Sequence, residues 1–127
     1  MHTYTPLFLN TIEKILHRTK SPPIAINYTY QFLKDKTEEE LSLDVIRFVS
    51  QLADLSPGVS MSSSLYNILR ESGFLTELRH SLTHKTMVKG SILQLARKLI
   101  LDELHEKYWE MTRDSLVKTY NIDKLKV

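Results

Sequence analysis

Apolar residues recur at intervals of three and four along most of this 127-residue chain, and that period predicts helices. Leu9, Ile12, Ile15 and Leu16 follow Thr5-Pro6, a cap residue with proline at the first helical position. Ser21-Pro22 repeats the device before Ile26, Tyr30 and Leu33. Thr37-Glu38-Glu39-Glu40 has the spacing of a capping box, in which the Glu40 side chain reaches back to the Thr37 amide. A third helix then runs through Leu41, Val45, Val49, Leu52 and Ala53. The stretch 54–64, DLSPGVSMSSS, holds the sole Pro-Gly pair and reads as a loop.

Beyond the loop, Leu65, Ile68 and Leu69 predict a short helix ending at Gly73, read as a left-handed C-cap. A fifth helix spans Phe74 to about Leu82, and a sixth begins near Lys85 or Thr86. No Gly or Pro occurs after Ser91, so 86–120 reads as two helices or as one of roughly 50 Å. The apolar stripe Val88, Ile92, Leu95, Leu99 slips to Leu104, Tyr108, Met111, Ser115, which predicts a bend near Leu101-Asp102. The expected fold is all-α, about six or seven helices packed as antiparallel hairpins in a single domain, 1–127.

Composition narrows the picture by exclusion. Three Gly and four Pro argue against a turn-rich β-sandwich. Without cysteine there is no disulfide, no thiol nucleophile and no Cys-based zinc site. No window approaches 18 uninterrupted apolar residues, so no membrane partner is expected. The N-terminus lacks a basic segment followed by a long apolar core, and a cytoplasmic location is the expectation.

Val45, Val49, Leu52 and Ala53 match Val88, Ile92, Leu95 and Ala96 at an offset of 43 residues, a period typical of HEAT and armadillo repeats. A second offset, 66, aligns Ile12 with Leu78, Leu16 with Leu82, Ile26 with Ile92 and Leu33 with Leu99, so the two do not form one simple array. Residues 73–99 nevertheless resemble one armadillo unit. Gly73, Leu75, Leu78 and Leu82 match its first helix, Thr83-His84-Lys85 its turn, and Val88, Leu95, Ala96 and Leu99 its last helix. The resemblance implies a short right-handed superhelix. Ile92 departs from it where a small Ala is usual, and Lys98 stands where that family often grips peptide backbone with Asn.

Catalytic motifs are absent: no Gly-rich phosphate loop, no nucleophile elbow, no cofactor signature. His80 and His84 share a helical face, and Glu77 is the nearest third ligand for a metal. The alternative is that both imidazoles are simply solvated. Glu38 to Glu40 are explained by capping, and Glu106 and Glu110 fall on an exposed face where a carboxylate has no reason for a raised pKa. Tyr30 and Tyr108 lie on core stripes. Trp109, on a flank beside Thr112 and Leu116, is a candidate interface aromatic, set against packing on a neighbouring helix of the same chain.

Charge is unevenly spread. Asp35, Glu38, Glu39, Glu40, Asp44 and Asp54 make one acidic block, and Asp102, Glu103, Glu106, Glu110 and Asp114 another. Between them, Arg79, Lys85, Lys89, Arg97 and Lys98 stand without an acid in 78–101. These blocks read either as complementary solvated faces or, for the basic one, as a surface for three or four phosphates. Base reading has little to work with beyond Gln94. The leading functional expectation is a non-enzymatic helical scaffold or adaptor that binds another protein and needs no cofactor. Self-association through the C-terminal helix is a further expectation. The alternative is a nucleic-acid-binding or regulatory domain using the basic segment.

Overall fold

A computed structural model describes residues 6–53, 73–84 and 87–120. The described residues form six α-helices and one π turn: α1 (Pro6–Arg18), α2 (Ile24–Leu33), α3 (Glu38–Ala53), α4 (Gly73–Thr83), α5 (Gly90–Leu104), the π turn (His105–Trp109) and α6 (Glu110–Tyr120). The chain is all-α, as the three-and-four spacing predicts. The expected loop at 54–64 and the short helix over 65–69 lie outside the described residues.

Helix starts follow local chemistry. Pro6 opens α1, where a missing N–H has no intrahelical partner to lose. In α2 it is Pro23 that takes the cap position, two residues later than the Ser21-Pro22 device suggests, and its carbonyl accepts from the amides of Ile26 and Asn27. The capping box of α3 closes both ways. The Thr37 amide donates to Glu40 Oε1 at 3.1 Å, and the Glu40 amide donates to Thr37 Oγ1 at 3.2 Å. Those bonds, with the Thr37 amide as the chief cause, hold the Glu40 carboxyl below its ordinary value. Gly73 is the first residue of α4 rather than a left-handed cap.

The core draws on every helix. Phe32 and Phe48 meet edge-on at 5.6 Å where α2 crosses α3, and Phe8 of α1 meets Trp109 at 4.9 Å. Aromatic pairs in this geometry add about 0.5–1.5 kcal/mol to their burial. Trp109 is 0% exposed, and its indole N–H donates to Thr29 Oγ1 at 2.9 Å, which in turn donates to the Ala25 carbonyl. An indole so placed is unavailable to a partner, which corrects its reading as an interface aromatic. It is a core residue, held by a fully satisfied polar chain.

α5 lies against both α2 and α3. Its fully buried side chains are Leu93, Ala96, Ile100 and Leu104, while of the expected stripe Val88, Ile92 and Leu99 are half-buried against the core and Leu95 is exposed. Val88 precedes the helix, and Leu95 is 53% exposed. Two apolar stripes run side by side on this helix, and burial takes the one containing small Ala96. Arg97, on the same side, reaches the end of α2 (below). The armadillo alignment places Val88 and Leu95 on the packed face; Val88 is half-buried against the core, whereas Leu95 is exposed.

The helical run does not bend at Leu101-Asp102. It widens one turn later, where the Glu110 amide donates to the His105 carbonyl, five residues back. A π turn holds one residue more than an α turn, so side chains that an α-helix would splay apart all face inward. His105, Tyr108 and Trp109 are buried together there, with Leu104 just before them. The slip in the apolar stripe is this extra residue. Among the described residues, no helix is long and apolar enough to cross a membrane.

Candidate functional site

The end of α4 gathers the chemistry that the rest of the fold leaves exposed. Leu75 and Leu78 bury one face of the helix, which packs on α3. That pins the opposite face outward, and Thr76, Glu77, His80, Thr83 and His84 are exposed on it. The last turn closes on one acceptor. The Thr83 hydroxyl donates to the His80 carbonyl at 2.9 Å, and the His84 amide donates to the same oxygen at 3.1 Å. His84 is thereby held one turn beyond His80, and the two rings meet with centroids 4.3 Å apart and planes at 57°.

Arg79 is the neighbour of this pair on the buried side. Its Nη1 donates to Ser50 Oγ of α3 at 3.4 Å, while its Nε is buried and has no hydrogen-bond partner among the described residues. A guanidinium presents five N–H donors, and burying one unmatched is costly.

Glu77 does not complete a metal site. Among the described residues no three His, Cys, Asp or Glu side chains come together in a way that could hold an ion. His80 and His84 remain a pair.

The basic segment is not one surface. Arg97 turns inward: its Nε donates to the Phe32 carbonyl at 2.5 Å, and its Nη2 to the carbonyls of Leu33 and Lys34 at 3.1 and 3.3 Å. These belong to the last turn of α2 and its cap, whose oxygens have no helical partner of their own. Arg97 is therefore a capping residue for α2, which corrects its place among the phosphate-binding candidates. Lys89 and Lys98 are both exposed, but nine residues apart they lie about half a turn around the helix from each other and roughly 13 Å along it. Lys89 is the N-cap of α5, its carbonyl accepting from Ile92 and Leu93. Lys85 lies outside the described residues.

The acidic blocks are also engaged locally. Lys36 pairs with Asp44 across the start of α3, and Lys107 with Glu103 at 3.0 Å one turn apart. The Glu38 carboxylate lies against Gly90, in the space a Cβ would take, and brings negative charge to the first turn of α5.

What remains is an all-helical domain whose outstanding polar cluster is an imidazole pair beside an incompletely paired arginine. Residues 7–111 match the family model described as Las1-like, which covers most of the chain. The chain belongs to the Las1-like family. Comparison with curated proteins and with solved structures yields no match.

Proposed function

We propose that the end of α4 is a site for RNA, with His80 and His84 acting as an acid–base pair on a phosphodiester and Arg79 as its cationic support. The contact between two exposed imidazoles carries this reading. Histidine is the side chain most often used to move protons in catalysis near neutral pH. RNA brings its own nucleophile. One imidazole takes the proton from a ribose 2′-oxygen as that oxygen attacks phosphorus. The other gives a proton to the departing 5′-oxygen. The products are a 2′,3′-cyclic phosphate and a 5′-hydroxyl, and the proton count balances without a further reactant. The negative charge that grows on the phosphoryl oxygens is what a guanidinium stabilises.

This reading keeps the phosphate-bearing partner of the sequence analysis but, of its basic residues, centres the site on Arg79, and it adds chemistry that no motif announced. Lys89, joined to His84 by five residues of chain, lies within roughly 18 Å of it even if that stretch is fully extended.

The test is incubation of the purified chain with a short RNA and with the same strand in 2′-deoxy form, in buffer containing a chelator. RNA alone is cut, leaving cyclic phosphate ends, and His80→Ala or His84→Ala lowers the rate at least about a hundredfold. Equal cutting by wild type and both variants, or none by any of them, overturns the proposal.

A second reading, docking of another protein, is supported by Met87 and Leu95, which are 99% and 53% exposed at either end of the stretch 87–95. Apolar side chains at that exposure suit a contact surface. Replacing both with Gln and measuring capture of a cellular partner tests it; unchanged capture removes the reading.

A further inference from the structure

The geometry points to Ser50 as a positioning residue for Arg79, and the inference rests on the RNA site proposed at the end of α4. Arg79 leaves a helix packed on α3, and Ser50 is the α3 side chain that its Nη1 meets, at 3.4 Å. Both residues are half-buried. The contact is asymmetric in a useful way. It takes Nη1 and leaves Nε buried and without an acceptor among the described residues.

A guanidinium is a planar fork, so fixing one arm fixes the directions of the others. Held by Ser50 at Nη1 and by burial at Nε, the guanidinium keeps one orientation, and its outer Nη donors are what an incoming phosphoryl oxygen would meet. The hydroxyl suits this task because it accepts without adding charge. A carboxylate at position 50 would neutralise the arginine and compete with phosphate. Arg97 shows the contrast: its Nε and Nη2 donors are already committed to three carbonyls at the end of α2.

Three variants separate positioning from mere packing. Ser50→Ala removes the acceptor, Ser50→Thr keeps a hydroxyl, and Arg79→Lys identifies the arginine signal. The first readout is the Nε–H resonance of Arg79 in the free protein, assigned by its loss in Arg79→Lys. In wild type and Ser50→Thr this resonance is sharp and displaced from the free-arginine position; in Ser50→Ala it moves to that position and broadens. The second readout is cleavage of the short RNA, where Ser50→Ala loses roughly tenfold in kcat with KM little changed, and Ser50→Thr regains most of it. An Arg79 resonance indifferent to Ser50→Ala overturns the inference, whatever the RNA result. A resonance that responds, in a protein that neither binds nor cuts RNA, leaves Ser50 as the residue that orients Arg79 and removes the RNA reading instead. Thermal unfolding of each variant, unchanged from wild type, shows that neither result comes from loss of the fold.

Discussion

Arg79 and Arg97 are the same residue in the same kind of place, half-buried where one helix meets another, yet their surroundings treat them in opposite ways. Arg97 meets the carbonyl end of α2, a ready-made set of acceptors, and spends its donors there. Arg79 meets the flank of α3, where carbonyls are already engaged within the helix, and finds one hydroxyl. Helix ends and helix sides differ in just this respect: an end has oxygens to give and a side has none. A guanidinium at an end becomes structure. One at a side keeps unspent donors, and here it does so beside two exposed imidazoles. Positive charge in the sequence says nothing about which of the two a given arginine will become.

The comparison can be broken in order of effect. Trp109 belongs to the satisfied region, with its ring buried and its N–H bonded to Thr29. Trp109→Ala should cost about 3–5 kcal/mol in urea unfolding, because it leaves a cavity and takes one hydrogen bond from the buried Thr29 hydroxyl. A loss below about 1 kcal/mol would show that the core closes without it. Arg97→Ala comes next, at about 2 kcal/mol, since three carbonyls at the end of α2 lose a charged donor. Arg97→Lys should recover only part, as an ammonium cannot span all three.

Arg79→Gln should change unfolding stability by less than about 0.5 kcal/mol while lowering RNA cleavage, the reverse of the Arg97 pattern. If Arg79→Gln destabilises as much as Arg97→Ala, the two regions are alike and the contrast fails. The smallest effect is at the capping box. The Glu40 carboxyl is lowered in the folded state from its value of 4.5, first by the Thr37 amide and then by the Thr37 hydroxyl. A carboxyl lowered on folding stabilises above its unfolded value, and that contribution fades as pH falls from about 4.5 through the folded value. Thr37→Ala should flatten that part of the stability–pH curve, and an unaltered curve would place the acid sensitivity elsewhere.

The residues that were readable from the chain were those whose role is set within a few neighbours. Pro6 opening α1 and the Thr37–Glu40 box need only their own turn to act, and both stand where the spacing puts them. Non-local roles were not readable. Arg97 sits in a basic run and looks solvated until α2 ends against it, 63 to 65 residues earlier in the chain. On α5 the most regular apolar stripe is not the one most deeply buried, because the facing helices α2 and α3 lie outside its own sequence. Trp109 looks peripheral on a regular helix because the π turn that brings it inside leaves no mark beyond a slip in the pattern. The imidazole pair was visible as a spacing, but a spacing for metal, since nothing in the sequence says that Glu77 stays apart from it.

The π turn also acts as a phase setter for the end of the molecule. Its one extra residue rotates everything after it by about 100° relative to a plain α-helix. Leu116 reaches the core only with that rotation, and the Tyr120 carbonyl comes to the Arg18 guanidinium, 2.6 Å away and 102 residues back along the chain. Removing a single residue from 105–109 would leave α6 every bit as helical, yet turned like a key by a quarter of its lock. A deletion there is thus not a shortening but a rotation, felt at the seam where the two ends of the helical run are clasped.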